Sequence, residues 1–514
     1  MTPPRPNGLE PTTHVAPQRR WQNWHQTVSQ PVKQLLDIWN AKPAEDSLET
    51  YGGTTRGLQR LVGQALKDGT SLRALGGGWS FSPVAATDGI ILNTKPLNYR
   101  FAAQETAHAQ YSGDPSDLFF VQCGTSIAEL NHYLKERGKS LKTSGASNGQ
   151  TIAGALSTGT HGSAMDVGAV PDYVVGLHIV VGPDRHVWLE RASAPAIADA
   201  VPQQLLGAEL IRDDAIFNAA RVSFGSFGIV HGVLLEAEKL FYLQATRKRL
   251  PLDQTLWDAM ETLNFANLPL PRPAAQRPFH FQVILNPHDV AGGAYLTVMY
   301  KDANPVAGCP PPAAEGKITQ GDDALEVMGV ITDVASNVTP FVVSQLVKVF
   351  LKDFGPVCGT HGEIFGDTTT RGKAGSTALG IPLGQVRKAA EIVLRVNQDS
   401  PFAGLVAFRY PKASGATLAF TRHGPQTCVL ELDGPWSNST RTFYRRVWRA
   451  LDDAGIPYTF HWGKIHQLDA AGVRRRYTNA AVDSWLAARK ALLDTPKLRA
   501  LFTSQWLRDA GLGA

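Results

Sequence analysis

SGASNGQTIAGALSTGTHGSA, residues 144–164, decides how this chain is read. Gly, Ala, Ser and Thr dominate it, and little in it is bulky. A surface linker can share that composition. Here, however, two apolar β-like runs bracket the stretch, LFFVQCGTSI (118–127) and YVVGLHIVVG (173–182), so it belongs inside a folded domain. Chain this small lets backbone amides approach a bound group closely, and successive N–H groups make a concavity suited to an anion. Its natural guest is a pyrophosphate.

A second glycine cluster, LRALGGGWSFSP (72–83), starts as a strand and turns into Gly76, Gly77 and Gly78. Neither cluster is the GxGxxG of a dinucleotide fold, because no strand–GxGxxG–helix unit with a following acidic residue lies near the N-terminus. Together the two clusters resemble the flavin domain of the vanillyl-alcohol oxidase superfamily, the p-cresol methylhydroxylase (PCMH) type of FAD-binding fold. TIAGALSTGTHG (151–162) and HWGK (461–464) resemble its aldonolactone, alditol and type II sterol oxidase branch, and GSFGIV (225–230) resembles a segment whose Gly-Ile backbone meets the adenosine part of FAD.

The resemblance implies an α+β protein: a two-part α/β FAD-binding domain plus a cap domain with a large antiparallel sheet flanked by helices. It implies FAD contacts from Gly76, Gly77, Gly78, Trp79 and Ser80 in the first loop and from Gly228 and Ile229. In the second segment it implies Ser144, Gly145, Ser147, Asn148, Thr151, Gly154, Ala155, Thr158, Gly159, His161 and Gly162. Lys464 of HWGK is expected to reach both the flavin and the substrate.

A chain of 514 residues has room for two to four domains and a sizeable core. The net charge of +5 is spread without a dense basic block, which argues against nucleic acid as the main partner. No apolar run is long enough to span a membrane. Behind Arg19 and Arg20 there is no apolar segment, so no signal peptide is read and the cytoplasm is the expected compartment. The four cysteines (Cys123, Cys309, Cys358, Cys428) lie far apart with no CxxC spacing; neither disulfides nor a metal site is expected. The oligomeric state is not set by the sequence.

Residues 1–45 are expected to form an N-terminal arm, loose and Pro-rich to about residue 20, with an Asn23-Trp24 pair of the kind the family carries before its flavin domain. The flavin domain follows over 46–240. TTRGLQRLVGQALKDG (54–69) reads as an amphipathic helix capped at Thr54 and stopped by Gly69. Short strands then alternate with helices, including a hairpin over 177–190 that turns at Gly182-Pro183-Asp184. The cap is expected over 241–455. Its strands are 279–287, 294–302, 404–410, 416–423 and 427–434; its helices are 324–355 and 438–456, the latter capped by Asn438 or Ser439. Residues 456–514 are expected to return to the flavin domain.

By resemblance, the chemistry is oxidation of a CH–OH group of a small-molecule alcohol by hydride transfer to flavin N5, with O2 as acceptor. This requires orientation and electrostatics from the protein. Lys464 is the first candidate for positive charge and Arg409, in VAFRYP, the second. Related alditol and sterol oxidases carry a Glu-x-Arg pair in the cap sheet; here the frame reads Ala407-Phe408-Arg409, and Glu431 on a neighbouring strand is the candidate to replace the carboxylate. A Glu among apolar residues is costly to bury unless paired. His461 is a candidate base for the substrate hydroxyl, whereas His161 reads as structural. A second GTHG, at 359–362 with His361, reads as a turn.

Trp79 is the sharpest departure. Many relatives have a His there that bonds the flavin 8α-methyl, and the alternative Cys near residue 144 is also absent, so FAD is expected to be non-covalent, with a cap-domain His as the other attachment point left open. Losing that bond lowers the flavin potential and leaves the acceptor open. Two other readings stand: a dehydrogenase with a quinone, cytochrome or dye acceptor, and a redox-inactive binding module.

Overall fold

The computed structural model describes residues 10–42, 45–312, 339–340, 343–344, 347, 351–366 and 373–513. The first sheet is assembled from β1 (Thr12–Val15), β2 (Gln34–Trp39), β3 (Leu72–Leu75) and β4 (Ile90–Asn93) in the order β1-β2-β4-β3. Two of its four strands therefore come from the expected arm, which is built into the flavin-side sheet from Thr12 onward. The reason is alternation: QLLDIW buries Leu36 and Ile38 against the core while its other positions stay half-exposed.

Helix α1 runs Leu48–Lys67, about two turns longer at its start than the apolar pattern indicates. Ser47 supplies the N-cap by accepting from the Thr50 amide, so Thr54 lies inside the helix; the chain leaves through Gly69 at φ +58°. The second sheet contains β5 (Arg100–Ala102), β6 (Leu118–Gln122), β7 (Val174–Val180), β8 (His186–Glu190), β9 (Glu209–Arg212) and β10 (Ile229–Glu236), in the order β9-β8-β7-β10-β6-β5. Between β6 and β7 lie α2 (Ile127–Lys135), fixed by a Ser126/Glu129 capping box, and α3 (Ile152–Thr158).

Among the described residues the third sheet has eight strands: β11 (Tyr242–Leu250), β12 (His280–Leu285), β13 (Ala294–Asp302), β14 (Phe354–Thr360), β15 (Ala374–Pro382), β16 (Leu405–Arg409), β17 (Thr427–Pro435) and β18 (Thr459–Phe460). They lie in the order β14-β11-β13-β12-β16-β17-β15-β18, every pairing antiparallel. Helices at Gln254–Thr262, Val386–Asp399 and Asn438–Asp453 pack against a core of their own that includes Phe281, Phe402, Leu430 and Tyr444. The N-cap of the last is Ser437, one residue before the expected candidates.

After β18 the chain crosses back. Trp462, Tyr477, Trp485 and Leu492 join the core of the first two sheets. Trp462 is fully buried, stacks on Tyr477 at 4.5 Å and donates its indole N–H to Leu418 O at 2.7 Å. That placement explains why 416–423 is not a strand: Leu418 and Phe420 are buried as a loop against the returning segment, and their alternation serves that packing. The helix expected over 324–355 falls largely outside the described residues, and its last two positions open β14.

Contrary to the cysteine reading, Cys309 and Cys358 form a disulfide. The two are 49 residues apart, but β14 runs beside the loop after β13, where the Cys358 amide donates to Pro310 O at 2.8 Å. Cys123 and Cys428 are free and buried. No helix among the described residues is long and apolar enough to cross a membrane.

Candidate active site

A cavity enclosing roughly 1490 Å³, its open mouth included, lies between the first two sheets and the face of the third. One wall is backbone. Gly76, Gly77 and Gly78 follow β3 directly, and Gly145, Ser147, Thr151, Gly154, Ala155 and Thr158 come from the loop before α3 and from that helix. The two segments are pressed together: a Cβ at Gly76 would lie 2.0 Å from Thr151 Oγ1, and one at Gly77 would lie 2.8 Å from Gly149 O. Glycine is required here by close approach, and what it leaves bare is amide.

Trp79, Ser80, His161, Gly228 and Lys464 also line the cavity. Ser144, Asn148, Gly159, Gly162 and Ile229 do not. Ser144 Oγ donates to Asn148 Oδ1 at 3.2 Å behind the wall, and Gly162 packs so tightly that a Cβ would meet Thr143 Oγ1 at 2.4 Å. Gly159 ends α3 at φ +76°, and Ile229 points into the core. These five shape the wall from behind, because alternation and helix geometry turn them away from the space.

Among the lining residues that the sequence reading does not single out, three carry ionisable side chains. Arg73, on β3, is buried and donates to Gly225 O (2.9 Å), Val84 O (2.6 Å) and Phe224 O. No carboxylate pairs with it among the described residues, and its Nε has no hydrogen-bond partner. Burial, with the neighbouring Arg489 charge, holds its pKa down to about 10. His25 reaches the cavity from the tip of the hairpin formed by Arg20–Gln22 and Ser29–Pro31. That tip is pinned to the first glycine loop by Trp24 N to Gly78 O (2.9 Å) and Asn23 Nδ2 to Ser80 O (2.8 Å). The His25 ring stacks on Phe81 at 4.0 Å, its Nδ1 is unpartnered, and burial and Lys464 lower its pKa to about 3. The third is Asp433.

The other wall carries side-chain charge. β16 and β17 pair so that Glu431 lies directly opposite Ala407, and β15 places Ala378 on its other side. Two alanines thus leave room for the carboxylate, which meets Arg409 Nε at 2.8 Å in a geometry outside a full hydrogen bond. Burial works to raise the Glu431 pKa, but the Arg409 and Lys464 charges outweigh it and hold it below the usual carboxylate range. Asp433, two residues on and on the same face, accepts from Ser376 Oγ; burial and the Glu431 charge push it up to about 6.

His461 and His161 stand side by side, ring centroids 5.6 Å apart. The Gly463 amide donates to His461 Nδ1 at 2.9 Å, and burial with His161 and Lys464 nearby pushes this ring well below its ordinary pKa. His161 donates from Nδ1 to Gly162 O at 3.0 Å, so its proton-free Nε2 faces Glu431 Oε1 across 3.7 Å; burial lowers its pKa to about 4. HWGK is clamped to the first glycine loop by Phe81 N to Gly463 O (2.7 Å) and Ser82 Oγ to Trp462 O (2.6 Å). Lys464 Nζ sits 4.8 Å from the Phe81 ring centroid. No cluster of metal-ligating side chains occurs among the described residues.

The chemistry of the cavity suits FAD. Bare amides in a tight glycine cradle and a buried, uncompensated Arg73 with an orphaned donor favour a diphosphate, and the charged far wall leaves room for chemistry beyond it. A family described as an FAD binding domain matches residues 51–189. The chain is 24% identical over 456 residues to L-gulono-1,4-lactone dehydrogenase of Mycobacterium tuberculosis, covering 86% of this chain and 93% of that protein. It is 29% identical over 203 residues to D-arabinono-1,4-lactone oxidase of Eremothecium gossypii, covering 40% of this chain and 34% of that one. Cholesterol oxidase from Brevibacterium sterolicum shares its fold at TM-score 0.69 and 15% identity, over 99% of each chain.

Proposed function

We propose that this chain is a flavoprotein of the vanillyl-alcohol oxidase/PCMH type whose cavity oxidises the CH–OH group of a small-molecule alcohol, a reading supported by the FAD-binding match and by the lactone-oxidising relatives. The single observation that carries the reading is the pairing of a glycine-built anion cradle with the Arg409–Glu431–Lys464 cluster in one cavity. Bound FAD supplies a ring that accepts a hydride and passes two electrons on.

The residues divide the remaining work. Gly76, Gly77 and Gly145 bring amides to the diphosphate, and Arg73 balances its charge from within the wall. Lys464 and Arg409 bring positive charge to the reacting end, where it stabilises negative charge that develops during oxidation. Glu431 holds Arg409 in place. His461 stays neutral with Nδ1 already engaged, so it orients a ligand through Nε2–H and is ill suited to take the hydroxyl proton. Trp79 offers no nucleophilic nitrogen, and FAD is therefore held without a covalent bond at that position. Colour retained in an acid pellet would overturn this and direct attention to His25 Nδ1.

The substrate is proposed to be a hydroxylated small molecule such as an aldonolactone, polyol or sterol, with O2 as acceptor. The test is anaerobic mixing of the holoenzyme with L-gulono-1,4-lactone, D-arabinono-1,4-lactone, xylitol and cholesterol. Bleaching of the flavin supports the reading, and failure of all four counts against it. Re-admitting air then separates an oxidase, which regains colour and releases peroxide, from a dehydrogenase. The expected cytoplasmic location and the Cys309–Cys358 bond pull in opposite directions, since that compartment keeps thiols reduced. Mass mapping of alkylated peptides from the native source resolves this.

A further inference from the structure

We propose that Asp433 is the proton acceptor for the substrate hydroxyl, an assignment that rests on the alcohol-oxidising reading above. Strand alternation on β17 puts Glu431 and Asp433 on one face, and both line the cavity. Their partners differ. Glu431 is committed to Arg409 at 2.8 Å and faces His161 at 3.7 Å. Among the described residues Asp433 accepts from Ser376 Oγ, which occupies one lone pair of a carboxylate that lines the cavity.

The imidazoles are poor rivals. His461 Nδ1 is occupied by the Gly463 amide, and His161 turns its proton-free nitrogen toward Glu431. His25 has a free nitrogen, but burial and Lys464 keep it neutral down to about 3, so it binds a proton weakly. The groups that act on Asp433 from the surrounding elements are Glu431 on its own strand, Arg409 on β16, Lys464 after β18 and the Tyr444 phenol on the helix Asn438–Asp453. Burial and the Glu431 charge outweigh the two cations and set Asp433 at about 6, where it is ionised at neutral pH yet basic enough to accept a proton.

The step balances. The hydroxyl O–H bond breaks as its proton forms an O–H bond on Asp433. The carbinol C–H pair leaves as hydride to the flavin, which is reduced by two electrons, and the carbon–oxygen bond becomes a carbonyl. Asp433 then returns its proton to water through the open mouth of the cavity.

The test compares wild-type holoenzyme with Asp433→Asn and Asp433→Glu, following anaerobic flavin reduction against pH with whichever of the four alcohols bleaches the wild type. The wild-type rate should fall as pH drops through about 6, following Asp433 protonation. In Asp433→Asn the rate should drop by about 10²–10⁴-fold and the acid limb should vanish; Asp433→Glu should keep the limb. An Asp433→Asn enzyme that retains both the limb and a rate close to wild type overturns the proposal while leaving the alcohol-oxidising reading intact. If no alcohol bleaches the wild type, that reading fails separately. Infrared titration of protein carrying carboxyl-labelled aspartate, wild type against Asp433→Asn, then decides Asp433 without substrate, because only a band lost in the variant belongs to that carboxyl. A labelled protonated-carboxyl band with a midpoint of about 6 is expected, and its absence contradicts the assignment.

Discussion

The two long walls of the cavity are built by opposite means. Along residues 76–78 and 145–158 the lining is mostly backbone, and glycines leave no space for side chains at the points of closest approach. Facing it, Arg409, Glu431, Asp433 and Lys464 project from two strands and the segment after β18, and the lining is charge. A backbone wall has nothing to titrate and tolerates little substitution. On a side-chain wall each group is tuned by its neighbours, as the opposite displacements of Glu431 and Asp433 show. The first wall governs whether the cofactor is held, and the second governs what happens to the substrate.

Gly76→Val gives the largest effect expected from this division. Its Cβ would start 2.0 Å from Thr151 Oγ1, so the purified protein should lack flavin colour, whereas Gly384→Ala, which meets nothing within 4 Å, should stay yellow. A yellow Gly76→Val protein would break the division at its first wall. Lys464→Met should do the reverse: flavin stays bound, and its reduction by substrate slows by about 10²–10³-fold.

Glu431→Ala strands Arg409 and should cost about 3–5 kcal/mol in urea unfolding. The register supplies a sharper version, because residue 407 lies directly across from 431. The double variant Ala407→Glu/Glu431→Ala should recover most of that loss; no recovery would mean that the carboxylate cannot be moved between strands.

A further effect is global. His161, His361 and His466 are lowered to about 4, and His25, His231 and His280 to about 3, each by burial first. Their folded pKa values lie below the unfolded value, so below about 6.5 the unfolded chain binds more protons. This contribution to stability is fully present above about 6.5 and is lost as pH falls toward 3–4. The melting temperature should fall over that window, and less steeply in a His231→Gln variant.

The same division explains what could be read from the sequence. Backbone walls need contiguous glycine, so 76–78 and 144–162 announced themselves, as did HWGK, whose four residues are consecutive. Arg409 is legible through the Glu-x-Arg frame of the resemblance, whereas Glu431 is legible only as a neighbouring-strand carboxylate replacing the one missing at Ala407. Asp433 was overlooked although VLELD places two acids at strand spacing in an apolar run, which is a usable signal. Arg73 reads as an ordinary strand cation, because its burial depends on carbonyls about 150 residues away. The Cys309–Cys358 bond joins positions that no motif connects. His461 was legible as a position but not in its protonation, which burial sets.

The most direct test of the central claim is the visible spectrum of the purified protein, followed by acid precipitation. The glycine-built wall and Trp79 predict flavin bands whose colour passes into the supernatant. A folded, colourless protein that takes up no added FAD would contradict the account at its foundation.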